Sequence, residues 1–183
     1  MHRYLLAFCL LLALPVTAAT QVLVTTNLGE FTIQLNEEKA PISSENFLRY
    51  VEDGSYVDTI FHRVIPGFMA QGGGFDQEMK RRDSYAPIKN ESTNGLENNR
   101  ATVAMARTQN PDSATRQFYI NYQNNSFLNA QGGRAGYAVF GEVVKGFSTL
   151  EKMTDIPTTT IGSLGMKDVP QQPIVIKAIK IIK

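Results

Sequence analysis

The chain has 183 residues, 43% of them hydrophobic and 19% charged, with 18 Lys and Arg against 17 Asp and Glu, one Cys and two His. A net charge this close to zero offers no electrostatic reason to bind nucleic acid or an anionic membrane surface. The apolar share is that of an ordinary globular protein.

At the N-terminus, Met1-His2-Arg3 gives a short basic start and Leu5 to Leu14 a nearly unbroken apolar run. That run falls short of the roughly 20 residues a membrane-spanning helix needs. Pro15 to Ala19 then supplies small residues, so residues 1–19 read as a leader cleaved after Ala18 or Ala19. An uncleaved anchor or a buried first helix competes with this reading. Gln21 to Thr26, however, already has strand character. Cys9 sits inside the apolar run behind Phe8, a poor fit to the small residue expected before a lipidated cysteine. Without the leader, 17 basic and 17 acidic side chains remain and no cysteine. Disulfides, thiol chemistry and cysteine metal sites are then excluded. The remaining ~165 residues suit one domain, over 20–183.

Val22, Val24, Phe31, Ile33 and Leu35 alternate at period two around Asn27-Leu28-Gly29-Glu30, the signature of a β-hairpin. Ala40 to Val51 carries Pro41 near its start, helical spacing of apolar residues and Gly54 as a stop, which predicts an amphipathic helix. Strands are predicted at 59–64, 68–72, 101–106, 117–121, 138–144 and 174–182, and a second helix at 146–153. Many short strands with two helices favour a closed antiparallel barrel capped by the helices. Phe75 to Arg100 is a long polar loop, of a length that in compact domains is commonly functional or locally folded. Lys80-Arg81-Arg82 within it reads as a solvated basic run.

Much chemistry is excluded. His62 is the one histidine left after cleavage, so no site can use two imidazoles. No Gly-x-Ser-x-Gly elbow presents a serine nucleophile. Gly72-Gly73-Gly74 lacks the Lys-Ser/Thr ending of a phosphate loop and is read as a turn. Asp53, Asp58, Glu91, Asp112 and Glu142 are read as surface charges, although carboxylate pairs meet only in the fold.

Phe61 to Gln71 stands apart, because a strand bearing Arg63 runs through Ile65-Pro66-Gly67 into Phe68-Met69 and Gln71. A guanidinium fork beside large apolar groups can hold an apolar ring while directing donors at a neighbouring amide. Phe-His-Arg-Val-Ile-Pro-Gly-Phe-Met-Ala-Gln-Gly-Gly at 61–73 resembles the cyclophilin signature almost residue for residue. Val103 to Arg107, Ser113 to Asn121, Phe127-Leu128-Asn129 and Gly136 to Gly141 follow in the family's order. The resemblance spans residues 21–182 and is closest to periplasmic bacterial cyclophilins.

It implies a mainly β fold, an eight-stranded antiparallel closed barrel capped by two α-helices, and peptidyl-prolyl cis-trans isomerase activity on proline-containing segments of exported proteins. The catalytic arginine falls on Arg63. The proline pocket falls on Phe68, Met69, Tyr119 and Leu128, with Phe127 at its edge, and the polar rim on Gln71 and Gln117. Ala106 and Arg107 match the segment whose backbone pairs with residues before the proline, and Tyr137 matches the last site position. No cofactor or metal is implied, and a monomer is expected.

The familiar eukaryotic pattern has Trp at Phe127, His at Tyr137, Phe at Tyr119 and Asn at Arg107. Phe127 lacks an indole N–H donor, so weak cyclosporin binding is expected while the grip on proline survives. Little effect is expected of the Tyr119 hydroxyl, and the long cation of Arg107 can bias substrate choice. His62, adjacent to Arg63, should face the other side of its strand in a buried structural role. Two other readings stay open at this point, a peptide-holding chaperone on the same scaffold and a barrel that carries a small apolar ligand inside.

Overall fold

The computed structural model describes residues 19–183, so the leader assigned to residues 1–19 lies, but for Ala19, outside the described residues. The first hairpin pairs β1 (Gln21–Thr26) with β2 (Gly29–Leu35). Val22, Val24, Phe31, Ile33 and Leu35 are buried on its inner face, as period-two alternation requires. Helix α1 (Pro41–Glu52) follows, then β3 (Thr59–Ile65), β4 (Met69–Asp76), β5 (Thr102–Met105), β6 (Phe118–Asn121) and β7 (Val139–Lys145). Helix α2 (Phe147–Thr154), β8 (Thr158–Ile161), β9 (Met166–Pro170) and β10 (Ile176–Ile181) complete the chain.

Eight strands form one antiparallel sheet in the order β10-β1-β2-β7-β5-β6-β4-β3. The sheet curls until its two edges meet through a bridge between Ile60 and Val175, with the Phe61 N–H donating to Ile174 O and the Asp58 N–H to Ile176 O, both at 2.9 Å. The barrel is therefore nearly closed, by a short seam rather than a full ladder. Its interior is filled by aromatic side chains. Phe47 on α1 packs at 5.3–5.4 Å between ring centroids on Tyr56, Phe118 and Phe140, and Phe61 lies edge-on to Phe31 and Phe118. A barrel packed in this way has no room for an internal ligand, which removes the ligand-carrier reading.

Two expectations need correction, and one element comes in addition to those predicted. The Gly72-Gly73-Gly74 triplet is not a turn but part of β4. Gly73 has φ +83°, and a Cβ there would stand 2.8 Å from the Tyr56 ring, while a Cβ on Gly74 would stand 2.5 Å from the Gln117 side chain. These glycines let neighbours lie against the strand, a use of glycine that looks like turn chemistry in sequence. Glu91 is not a surface charge. Ala40 offers α1 no side-chain cap, and the Glu91 carboxylate accepts from the Ile42 and Ser43 N–H groups at 3.0 and 2.7 Å and from the Ser43 hydroxyl at 2.7 Å. The hairpin β8–β9 was not foreseen.

The long polar loop is locally folded. Ile88 bridges to Ala114 and Phe75 to Arg81, and the buried Arg116 donates to Gly73 O and Ser55 O at 2.6 Å and to Asp83 O. Lys80 pairs with Glu78 at 2.6 Å in solvent. Among the described residues no helix is long and apolar enough to cross a membrane.

Candidate active site

One row of residues crosses the outer wall of the barrel in register. Arg63 stands opposite Gln71, Gln71 opposite Tyr119, Tyr119 opposite Ala104 and Ala104 opposite Val139. On β5 and β6 alternation alone sends Val103, Met105, Phe118 and Ile120 into the main core and leaves Ala104 and Tyr119 outside it. On β3 alternation would put Arg63 on the same side as Phe61, which is fully buried in the core. The ladder breaks this rule. Phe61 pairs with Gly72 and Arg63 with Gln71, so His62 is an extra residue that reverses the parity, and Arg63 emerges on the outer face. A bulge is a recurrent way to re-aim a side chain beside a functional site.

Met69, Ala104, Tyr119 and Val139 make a second, smaller apolar cluster outside the barrel, flanked by Ile65, Phe68, Leu96, Ala106, Leu128 and Tyr137. Over it opens a hollow of about 180 Å³ lined by Arg63, Phe68, Met69, Gln71, Ala106, Arg107, Tyr119, Leu128 and Tyr137. Of the side chains that the sequence nominated, the hollow thus gathers all but Gln117 and Phe127. Gln117 stands beside it and accepts from the Gln71 amide at 2.9 Å. Phe127 lies at the edge, 66% exposed, its ring stacked on Phe68 at 5.7 Å.

The remaining rim is rigidly built. Arg107 donates to Gly136 O, Thr108 O and Ala135 O at 2.8–3.0 Å, and its guanidinium lies 4.4 Å from the centre of the Tyr137 ring. Tyr137 in turn meets Tyr119 edge-on at 5.8 Å. The long cation is thus tied across to the 135–137 segment and to its own neighbour Thr108. The Ala106 N–H is bonded to Gln117 O, so what this segment can still offer to a bound peptide is its outward backbone.

His62 is buried away from the hollow against the edge of Phe75, at 4.8 Å between ring centres. Burial, with the nearby Arg63 charge, lowers its pKa from the ordinary 6.5 to about 4, so the ring is neutral near pH 7.

Two residues beside the site escaped the sequence reading. Asn98, fully buried, accepts the Tyr119 hydroxyl at 2.7 Å and donates to Asn129 and to Tyr137 O. Asp168 on β9 accepts from Arg63 Nε at 3.3 Å. Asn98 lies in a run of polar loop residues and Asp168 is 105 positions from its partner, so neither gives a local signal.

A nearly closed β-barrel whose outer wall sets a guanidinium beside a small apolar hollow has the chemistry suited to an apolar ring next to a polar group. The comparison with known proteins sharpens this. Residues 21–181 match the family model described as cyclophilin type peptidyl-prolyl cis-trans isomerase. The chain is 53% identical over 172 residues to a peptidyl-prolyl cis-trans isomerase of Acinetobacter baylyi, covering 94% of this chain and 90% of that one. It is 50% identical over 171 residues to peptidyl-prolyl cis-trans isomerase A of Dickeya dadantii, covering 93% and 89%. Among solved structures, a cyclophilin type peptidyl-prolyl cis-trans isomerase of Cryptosporidium parvum is similar with a TM-score of 0.74 at 27% identity, covering 90% of this chain and 98% of that one. The same parasite protein solved in the presence of the dipeptide Ala-Pro gives a TM-score of 0.73 at 28% identity, with coverage of 89% and 99%. The chain belongs to the cyclophilin-type peptidyl-prolyl cis-trans isomerase family, and it is an enzyme of that activity.

Proposed function

We propose that the hollow holds the proline ring of a polypeptide and that Arg63 donates a hydrogen bond to the prolyl nitrogen as the X-Pro bond rotates. The observation that carries this reading is the placement of Arg63 on the wall of a hollow otherwise floored by Met69, Tyr119 and Leu128. Amide resonance sets a rotation barrier of about 18–20 kcal/mol, and uncatalysed X-Pro exchange takes tens to hundreds of seconds. Rotation takes the nitrogen lone pair out of conjugation. The localised pair can accept from a guanidinium in the transition state and hardly at all in the planar ground state, so the bond stabilises the transition state selectively. A charge-assisted hydrogen bond contributes about 1.5–3 kcal/mol, or roughly ten- to a hundredfold in rate.

Orientation supplies the rest. Phe68, Met69, Tyr119 and Leu128 grip the ring, the bonded pair Gln71–Gln117 restrains the carbonyl side, and the outward backbone of Ala106 and Arg107 pairs with the residues before the proline. No proton is transferred and no covalent intermediate forms. That a cyclophilin-type relative has been solved with Ala-Pro supports proline-containing segments as the substrate.

The leader-like residues 1–19 support export, so we place the protein in the periplasm, assisting the folding of exported proteins as a monomer with weak cyclosporin binding. The test of the mechanism is Arg63→Ala in a coupled isomerisation assay on a prolyl tetrapeptide. The expected result is at least a tenfold loss of kcat/KM with an unchanged melting temperature. An unchanged rate would exclude the donor role, and a mature N-terminus starting at Met1 would exclude export by cleavage.

A further inference from the structure

We propose that Asp168 is a positioning residue for Arg63, and that the β8–β9 hairpin exists in part to present it; this rests on the donor role of Arg63 proposed above. The contact is side-on. A single carboxylate oxygen of Asp168 meets Nε of Arg63 at 3.3 Å, and among the described residues the two terminal nitrogens of that guanidinium have no hydrogen-bond partner. A guanidinium is planar, with its five donors in a fixed fork. Holding Nε from the side therefore restrains the guanidinium and leaves its outer N–H groups unpaired on a residue that lines the hollow.

The backbone around Asp168 is shaped for this contact. β9 runs beside β3. Its ladder with β8 pairs Thr159 with Val169 and Ile161 with Met166, so Lys167 and Asp168 together stand opposite Thr160. Asp168 itself has φ +60°, a left-handed conformation that Asp tolerates better than most side chains but that still carries a steric penalty. A bulge and a left-handed residue at one point in a short strand turn the carboxylate out of the hairpin's own plane toward Arg63. Such strain persists where the surrounding structure imposes it, and it concentrates at functional sites.

Stability does not explain the pair. The two side chains are 40% and 38% exposed, and an ion pair that wet contributes little to folding. What it does is narrow the rotamers of a long, flexible side chain whose outer nitrogens must meet a small target. A positioning effect of this kind acts on the rotating amide and not on the grip of the proline ring, so it belongs in kcat rather than KM.

The experiment measures kcat and KM for a prolyl tetrapeptide with Asp168→Ala, Asp168→Asn and Asp168→Glu, with Arg63→Ala, and with the double variant Arg63→Ala/Asp168→Ala, alongside the NMR resonance of Arg63 Nε–H. Asp168→Ala is expected to lower kcat about five- to tenfold with KM within about twofold. Asp168→Asn, which keeps an acceptor, and Asp168→Glu, which keeps the charge, should each retain more activity. The Nε–H resonance should shift in Asp168→Ala, and the double variant should be no slower than Arg63→Ala. If Arg63→Ala is slow while Asp168→Ala and Asp168→Asn turn over at the parent rate, the positioning role is overturned and the donor role stands. If Arg63→Ala itself is fast, both are overturned. An Asp168→Ala loss of equal size with and without Arg63 marks a general structural effect and also overturns the proposal.

Discussion

The Tyr119 hydroxyl donates to the side-chain oxygen of Asn98 at 2.7 Å, a bond made by one of the residues that line the hollow beside Arg63. Asn98 shares that oxygen with the Asn121 amide at 3.3 Å and donates its own amide to Asn129 and to Tyr137 O. Two lining residues of the hollow, Tyr119 and Tyr137, are thus tied to one buried polar network. Burial holds the Tyr119 phenol far above its ordinary pKa, so it remains a donor throughout the working range.

Tyr119→Phe removes this donor and leaves the ring in place. Losing one buried hydrogen bond costs about 1–2 kcal/mol, and Asn121 still satisfies part of the Asn98 oxygen. A denaturant melt should therefore show a loss of that order, while kcat/KM for a prolyl peptide changes less than about threefold because the apolar grip is intact. A large catalytic loss with unchanged stability would mean that the hydroxyl touches the substrate.

His62 predicts a pH dependence of stability. Its folded-state pKa of about 4 lies below the ordinary 6.5, so as pH falls the unfolded chain takes up the proton first. The contribution of the neutral buried ring is fully present above about pH 6.5 and is lost as pH falls toward 4, a total on the order of 3 kcal/mol. His62→Gln should flatten the stability profile across that window relative to the parent. Parallel profiles for the two proteins would show that the imidazole does not titrate differently on unfolding.

Glu91 gives a third prediction. Its carboxylate supplies the N-terminal cap that Ala40 cannot, accepting two backbone N–H groups and the Ser43 hydroxyl. Glu91→Ala should cost about 1–2 kcal/mol, and Glu91→Gln less, because it keeps an acceptor but loses the charge favoured at a helix N-terminus. Hydrogen exchange should accelerate first at Ile42 and Ser43. Uniform acceleration along α1 would contradict a capping role.

The pattern of what the sequence disclosed follows from the range of each interaction. Period-two alternation placed β1 and β2, because a half-buried strand writes its environment into every second residue; β5 and β6, nearly all buried, showed only as short apolar runs. The segment 61–73 marked the site because its residues meet across one hairpin, β3 against β4. The bulge at His62 left no mark, since nothing in Phe-His-Arg tells which of three consecutive residues is the extra one. Glu91 and Asp168 were invisible for another reason. Each acts on a residue 48 to 105 positions away, and a carboxylate on a polar stretch looks the same whether it faces solvent or a helix end. The β8–β9 hairpin is short and carries few buried residues, so it lacks the periodic signal that revealed the barrel strands.

Phe127 offers the last prediction, and it concerns ligand choice rather than folding. The ring stacks on Phe68 at 5.7 Å with an interplanar angle of 25° while remaining 66% exposed. It extends the apolar wall of the hollow but presents no donor, whereas an indole at this position would add an N–H at the rim. Phe127→Trp should therefore tighten cyclosporin binding at least tenfold, about what one well-placed hydrogen bond with added apolar contact provides. Turnover of a short prolyl peptide, which needs the ring only as a wall, should stay within about threefold. Titration calorimetry on both proteins reads the first quantity and the coupled isomerisation assay the second. Equal cyclosporin affinity for the two would place the determinant elsewhere, with Arg107 and Tyr137 the next residues to exchange because both line the hollow itself.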